Sequence, residues 1–415
     1  MLAGVTVDLP PLDGVTVVAV EQAVAAPLAT RHLADLGARV IKIERIGEGD
    51  FARHYDRAVR GLASHFVWLN RGKESVALDL KSPAGVDLAR RLVARADVFL
   101  QNAAPGAVER LGLGAADLLA RNPRLVVASI TGYGTGGPLR DRKAYDMLVQ
   151  AEAGMISVTG TPETATKTGV PSADIAAGLY TSQAVLAALF RRERTGRGAA
   201  VDVSMFDATV EWLGHQMYVW LYSGQQVPRM GLSHAAIAPY NAYPTADGQT
   251  LIGVQNDRGW RALVCDVFDR PDLADHPHLA SNVLRVAHRE ECDRVVSDET
   301  RRFRTAELDA RLAAAGVPAA QVNDMAGLVA HPQLAARDRW RRVDTPAGLV
   351  EAVLPPMSFR GVELPMGPVP ELGAHTKAVL AELGVNEADI DRLIAEGVAG
   401  CPRDVPVSKP QLPIA

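Results

Sequence analysis

The chain of 415 residues has little cysteine, few aromatic side chains and no marked excess of either charge. Cys265, Cys292 and Cys401 are odd in number and lack CxxC spacing. That pattern speaks against a disulfide framework or a zinc site and for a reducing compartment. Aromatics make up 5% of the residues and the formal net charge is -4, so nothing general argues for nucleic acid or a membrane as partner. No uninterrupted apolar run approaches the ~20 residues of a membrane span, and the first residues lack a basic stretch leading into an apolar one. The reading is a soluble, cytoplasmic protein. There is no Walker A sequence for a P-loop enzyme and no G-x-S-x-G elbow for a serine hydrolase.

What is present is an ordinary globular composition, 48% hydrophobic and 22% charged, over a length that suggests two domains with real cores. Short apolar runs alternate with helical patterns up to about residue 200. Val15 to Val20, Val40 to Ile43, Val98 to Leu100 and Leu125 to Ile130 read as strands, and Leu28 to Leu36 as a helix stopped by Gly37. Ser82-Pro83 opens a second helix, with Leu88, Leu92 and Val93 on one face. The class is α/β, with a parallel sheet covered on both faces. Between residues 223 and 248 the texture turns to Gly, Pro, Tyr and Asn, which reads as a crossing linker. A second mixed pattern follows: a strand at Leu251 to Val254 and helices near Trp260 to Phe268 and Ala306 to Ala315. Pro355 to Pro370 reads as extended chain and Thr376 to Leu383 as the last helix.

Asp174 is the most informative residue. It opens an apolar segment whose Ile175, Leu179, Val185, Leu186, Leu189 and Phe190 are spaced for one face of a helix closing at Gly196. Asp is a favoured N-cap and suits the positive end of a helix dipole. The alternative is a carboxylate presented at a helix terminus as a nucleophile. Gly132 to Gly137 satisfies G-x-G-x-x-G, but Pro138 follows and no helix pattern starts there, so a flexible loop is the better reading than a dinucleotide fingerprint. His276-Pro277-His278 has no third ligand nearby and reads as a polar loop, so no metal site is assigned. Lys42, Arg45, Arg71, Lys73 and Lys81 are read as cations just past strands, where open α/β sheets collect ligands and where several charges together hold a polyphosphate. Taken singly, each is a surface charge.

Several ordered segments resemble the family III CoA-transferases: Leu12-Asp13-Gly14-Val15, Leu33-Ala34-Asp35-Leu36-Gly37-Ala38 running into Val40 to Arg45, and Asn70-Arg71-Gly72-Lys73 running into Leu78-Asp79-Leu80-Lys81. Pro105-Gly106 to Gly112, Asn122-Pro123-Arg124, Arg194 to Gly198, Gly316-Val317-Pro318 and Gly373-Ala374-His375-Thr376 continue the series over nearly the whole chain. The resemblance implies a Rossmann-like large domain with a smaller inserted α+β domain, in an interlocked, ring-like homodimer. The division it suggests is a large CoA-binding domain beginning with 1–222, a small domain with linker at 223–330, and a return through 331–415. It places the nucleophile at Asp174, with Asp146 and Tyr145 assisting. By position it places CoA contacts on Arg45, Leu78, Asp79, Lys81, Asn102, Arg110, Lys143 and Tyr145. The implied substrates are a CoA thioester and a free carboxylic acid, with no permanently bound cofactor.

Two departures refine this. Tyr145-Asp146 stands where racemases of the same fold carry a His-Asp pair, which removes a base of near-neutral pKa and disfavours an acyl-CoA racemase or epimerase. Retention of Asp174 disfavours a CoA-ester-binding protein without turnover. Gly231 to Tyr240 replaces a glycine run and looks like the branch handling C4–C5 dicarboxylates, including intramolecular transfer of the mesaconyl-CoA C1–C4 kind. His234 and Arg229 are the candidates for a distal substrate carboxylate, against the simpler reading of an ordinary linker.

Overall fold

The computed structural model describes residues 9–402. Six strands form a parallel sheet: β1 (Thr16–Val20), β2 (Arg39–Glu44), β3 (Lys73–Leu78), β4 (Val98–Gln101), β5 (Val126–Thr131) and β6 (Ala199–Ser204). Both faces are covered, which is why the strands carry apolar residues on successive positions rather than alternating with polar ones. Val17, Leu100, Val126 and Ala128 face the core built on the Ala25–Asp35 and Ser172–Thr195 helices. Val18, Ile41, Phe99 and Val127 face the core that the Pro83–Ala94, Thr376–Glu382 and Glu387–Ala395 helices complete.

Contacts divide the chain into two units. The larger takes residues up to Met155, Thr168–Gly214 and everything from Asp338 onward. The smaller takes Ile156–Lys167 and His215–Arg337. Its sheet is antiparallel: β7 (Tyr240–Pro244) and β9 (Ala319–Ala320) flank β8 (Gln249–Gly253). Tyr243, Trp260, Leu263 and Phe268 lie in its core, each 0–1% exposed. In the larger unit β10 (Trp340–Val343) and β11 (Val350–Val353) make a hairpin, and β12 (Ala399–Gly400) pairs antiparallel with β3. The main sheet therefore runs β12-β3-β2-β1-β4-β5-β6. The strand order reverses on either side of β1, so a crevice opens at the carboxyl ends of β1 and β4, where such sheets bind ligands.

Two expectations need correction. Thr376–Glu382 is not the last helix, because Asn386 caps a further one at Glu387–Ala395 by accepting from Asp389 N. Arg71 and Lys73 do not follow a strand; Arg71 ends the Ser64–Asn70 helix and Lys73 opens β3. The Ser172–Thr195 helix has the length and apolarity of a membrane span. Here it is a core element, with Ala173, Ala176, Ala177, Val185 and Leu189 packed beneath the sheet.

Candidate active site

The Ser172–Thr195 helix begins after Pro171, which has no side chain able to satisfy the first N–H groups. Asp146, at the start of the Asp146–Glu152 helix, supplies the missing acceptor. Its Oδ1 takes hydrogen bonds from Ala173 N at 2.8 Å and Asp174 N at 3.3 Å. The N-cap role that the sequence offers to Asp174 thus falls to a residue remote in sequence. Asp174 sits inside the first turn, half-buried, and its own carboxyl is left for other work.

That carboxyl is pushed up to about 7, first by burial and then by the like charge of Asp146; a hydrogen bond from the Ala25 main chain opposes the shift. Ala25 is the first residue of the Ala25–Asp35 helix. Two helix starts therefore meet at Asp174, its own and that of the Ala25–Asp35 helix, each with the positive end of its dipole there. Gly178 permits the approach. A Cβ there would stand 2.7 Å from the Ala25 carbonyl oxygen and 3.1 Å from the Leu28 side chain.

The turn that aims Ala25 is held by side chains from three other segments. Asn102, just past β4, accepts from Gln22 N and donates to Gln22 O, both at 2.9 Å. Asp50 Oδ1 accepts from Ala23 N at 3.0 Å. Ala23 is left-handed, at φ 65, a conformation that a residue with a Cβ keeps only when its surroundings impose it. Asp50 is in turn fixed by Lys42 Nζ at 2.8 Å. Lys42, Glu21 and Lys73 are each 0–2% exposed and joined in one network, with Lys73 Nζ 2.7 Å from Glu21 Oε1. Burial lowers the Lys73 ammonium to about 8, against the pull of Glu21. Glu44 binds Arg53 through both oxygens, and the Ser75 hydroxyl donates to it. Arg71 makes a two-pronged contact with Asp35 at 3.0 and 2.8 Å.

Lys42, Lys73 and Arg71 are thus interior, paired charges that support the sheet edge, and the reading of them as polyphosphate cations does not hold. Arg45 and Lys81 are exposed at the surface, past β2 and β3; Arg45 pairs with Glu48 at 2.9 Å across exposed side chains. Leu78 is buried at the end of β3, while Asp79 Oδ1 accepts from Lys81 N at 3.0 Å and shapes that turn. Arg110 ends the short Ala107–Arg110 helix, exposed. Lys143 is exposed and Tyr145, next to Asp146, is 63% exposed. Tyr55 belongs to the same neighbourhood. Its hydroxyl is raised to about 12 by burial, then by the charges of Asp50 and Asp174 and by Tyr145. His234 and Arg229 lie in the smaller unit. There Arg229 donates to the carbonyls of Thr161 and Pro162 at 3.0 Å, and His234 stacks on Tyr240.

Sequence reasoning missed the Gln22–Ala25 turn, Asp50 and Tyr55. A polar pair, Glu21-Gln22, ending an apolar strand, with Pro27 in the first turn of the next helix, was the available signal.

A doubly wound α/β frame with a carboxylate at two helix starts defines the class. The chain belongs to CoA-transferase family III, which it matches over residues 12–376. It is 33% identical to succinyl-CoA:glutarate CoA-transferase of Homo sapiens, over 94% of this chain and 90% of that one. It is 37% identical to succinate–glutarate CoA-transferase of Agrobacterium fabrum, over 90% and 96%. Among solved structures, a CAIB/BAIF family protein from Brucella suis superposes with a TM-score of 0.80 at 36% identity, covering 91% of this chain and 100% of that one.

Proposed function

We propose that this protein moves CoA from a dicarboxylic acyl-CoA to a second dicarboxylate, with Asp174 as the covalent carrier. The observation that carries the reading is the placement of Asp174: relieved of capping by Asp146, half-buried, and facing the Ala25 N–H at the start of a second helix. The dicarboxylate class is supported by the relatives that act on succinyl, glutarate, citramalate and mesaconate groups.

In this mechanism ionised Asp174 attacks the thioester carbonyl. The tetrahedral oxyanion forms where the Ala25 N–H and its helix dipole point. Collapse expels CoA thiolate and leaves a mixed anhydride between Asp174 and the donor acyl group. The thiolate attacks the Asp174 carbonyl, giving aspartyl-CoA thioester and the free donor acid. An acceptor carboxylate attacks that thioester, forming a second anhydride and releasing thiolate again. The thiolate then attacks the acceptor's own carbonyl, and the new CoA ester leaves with Asp174 restored as a carboxylate.

On this reading Arg45, Lys81, Arg110 and Lys143 hold the CoA phosphates and pantetheine, with Leu78, Asp79, Asn102 and Tyr145 shaping the path. Of the expected division, 1–222 with 331–415 as the large domain and 223–330 as the small one, residues 156–167, 215–222 and 331–337 group with the smaller unit instead; two chains interlock as a homodimer in the cytoplasm. His234 and Arg229 are the proposed partners of a distal carboxylate.

Incubating the protein with succinyl-CoA and glutarate, then adding hydroxylamine, tests the carrier. Expected is loss of activity with a hydroxamate mass on the Asp174 peptide; transfer without any such adduct sinks the covalent reading.

A further inference from the structure

Asp146 reaches the start of the Ser172–Thr195 helix through one oxygen. Its other oxygen, Oδ2, accepts from Gln150 Nε2 at 2.7 Å, one turn along the Asp146–Glu152 helix. Gln150 is fully buried. Its Oε1 accepts from Thr168 N at 3.0 Å; the Thr168 hydroxyl lies 3.1 Å from the same oxygen and 2.7 Å from Val170 O. Thr168 lies where the chain returns to the larger unit, four residues before the helix, and its hydroxyl also lies 2.8 Å from the Ser172 hydroxyl. One amide side chain thus ties the segment entering the nucleophile's helix to the acid that caps it.

An amide is suited to this place. Gln donates at one end and accepts at the other, so the Thr168 N–H orients the Nε2 group toward Asp146. A buried, charge-assisted hydrogen bond of this kind fixes a carboxylate more firmly than a neutral one. Gln150, with no exposed surface, acts through Asp146.

We propose that Gln150 is a positioning residue for the nucleophile: held by Thr168, it locks the Asp146 carboxylate across the open start of the Ser172–Thr195 helix and so sets both the place and the charge environment of Asp174. The inference rests on the covalent role given to Asp174 above. The groups facing Asp174 are Asp146 from the start of the Asp146–Glu152 helix, Tyr55 from the turn after residues 51–54, and the Ala25 N–H. Of these, Asp146 is the one that Gln150 holds.

The test uses the full chain with Gln150→Met, similar in size but unable to make either hydrogen bond. Steady-state CoA transfer is followed from pH 5 to 9. With the tether gone, Asp146 moves from the helix start, so kcat should fall about 10- to 100-fold, the range seen when a reacting group shifts by ~1 Å. KM for the CoA ester should stay within about twofold, since the contacts of Arg45 and Lys81 are untouched. The acidic limb of kcat/KM should move to lower pH, because a like charge has left Asp174. Packing damage alone lowers activity without moving that limb. An unmoved limb, whatever kcat does, would overturn the proposal. Should Gln150→Met not fold, Asp146→Asn reads the same link from its other end; it keeps an oxygen for Ala173 N, loses the charge, and should move the limb the same way. An unmoved limb there overturns the proposal equally. Asp174→Asn run in parallel separates the two claims: if it retains transfer, the covalent reading fails whatever Gln150 does, and if it is inactive, the Gln150 result stands by itself.

Discussion

Asp174 attacks only as a carboxylate, and its carboxyl is held at about 7 by burial and by Asp146. The acidic limb of kcat/KM should therefore lie near pH 7 rather than near 4, falling tenfold per unit below it. A limb below pH 5 would remove the raised carboxyl from the mechanism. Linkage gives a second, independent readout. Between the ordinary value of 3.8 and about 7 the folded protein keeps a proton that the unfolded chain has released. Stability contributed by this group is thus present below pH 4 and lost as pH rises to 7. Asp174→Asn carries no such charge, so its Tm should exceed that of the wild type at pH 8 and match it at pH 4. The same variant should lose several orders of magnitude in kcat, because an amide is no nucleophile. Asp174 was legible in the sequence because an acid opening an apolar helix needs a reason. The wrong part was the choice of reason offered by local rules. The cap comes from Asp146, and no local pattern reports a partner 27 residues away. Lys42 and Lys73 misled in the opposite direction, since charges within strands ordinarily mark a solvated edge, whereas here Glu21 and Asp50 pair them inside.

Helix pairing sets the site as much as any side chain does. The Ala25–Asp35 and Ser172–Thr195 helices touch where their starts meet, one turn beyond Asp174 at Gly178. Gly178→Ala gains up to ~1 kcal/mol of helix propensity. It also drives a methyl within 2.7 Å of the Ala25 carbonyl oxygen, so the helices must separate and the Ala25 N–H must leave Asp174. Transfer activity should drop at least tenfold, with KM for the CoA ester little changed. A fully active Gly178→Ala enzyme would show that this approach is not needed for oxyanion binding. The outer supports predict differently. Asp50→Ala removes the shorter of two buried carboxylate contacts to Lys42, leaving Glu21 at 3.3 Å, and should cost up to about 3–5 kcal/mol of stability, read as a fall in the denaturant midpoint. Elements were legible where burial is two-sided: β1, β4 and β5 carry apolar residues on successive positions, and β2 does so on either side of Lys42. They blurred where chemistry intrudes. β3 opens Lys73-Glu74-Ser75, with the first in the ion network and the last bonded to Glu44, and so does not look like an inner strand. The Glu387–Ala395 helix is rich in acids, and only Ile390, Leu393 and Ile394 reach the core.

At the scale of the whole chain, substrate binding and assembly make separate predictions. Arg45→Ala and Lys81→Ala remove exposed cations at the ends of β2 and β3, and each should raise KM for CoA esters more than it lowers kcat. Unchanged KM in both would take them out of the site. Assembly is argued from the Gly214–Ser223 helix, none of whose residues is buried. Tyr218, Trp220, Leu221 and Tyr222 are 56–83% exposed along it. A helix this apolar on all sides belongs inside something, and contiguous patches of this kind on a lone chain mark an interface. A second copy is the occupant that the proposed interlocked homodimer requires. Sedimentation should therefore give twice the chain mass even at nanomolar concentration. Two populations carrying different tags, mixed without denaturant, should form no mixed dimers over days, since threaded rings part only on unfolding; after unfolding and refolding together, half should be mixed. Trp220→Glu with Leu221→Glu should prevent assembly during refolding and leave aggregates or monomer. Mixed dimers appearing within minutes of combining the native populations would mean an ordinary face-to-face pair, and a monomer at micromolar concentration would leave the apolar helix to some other partner.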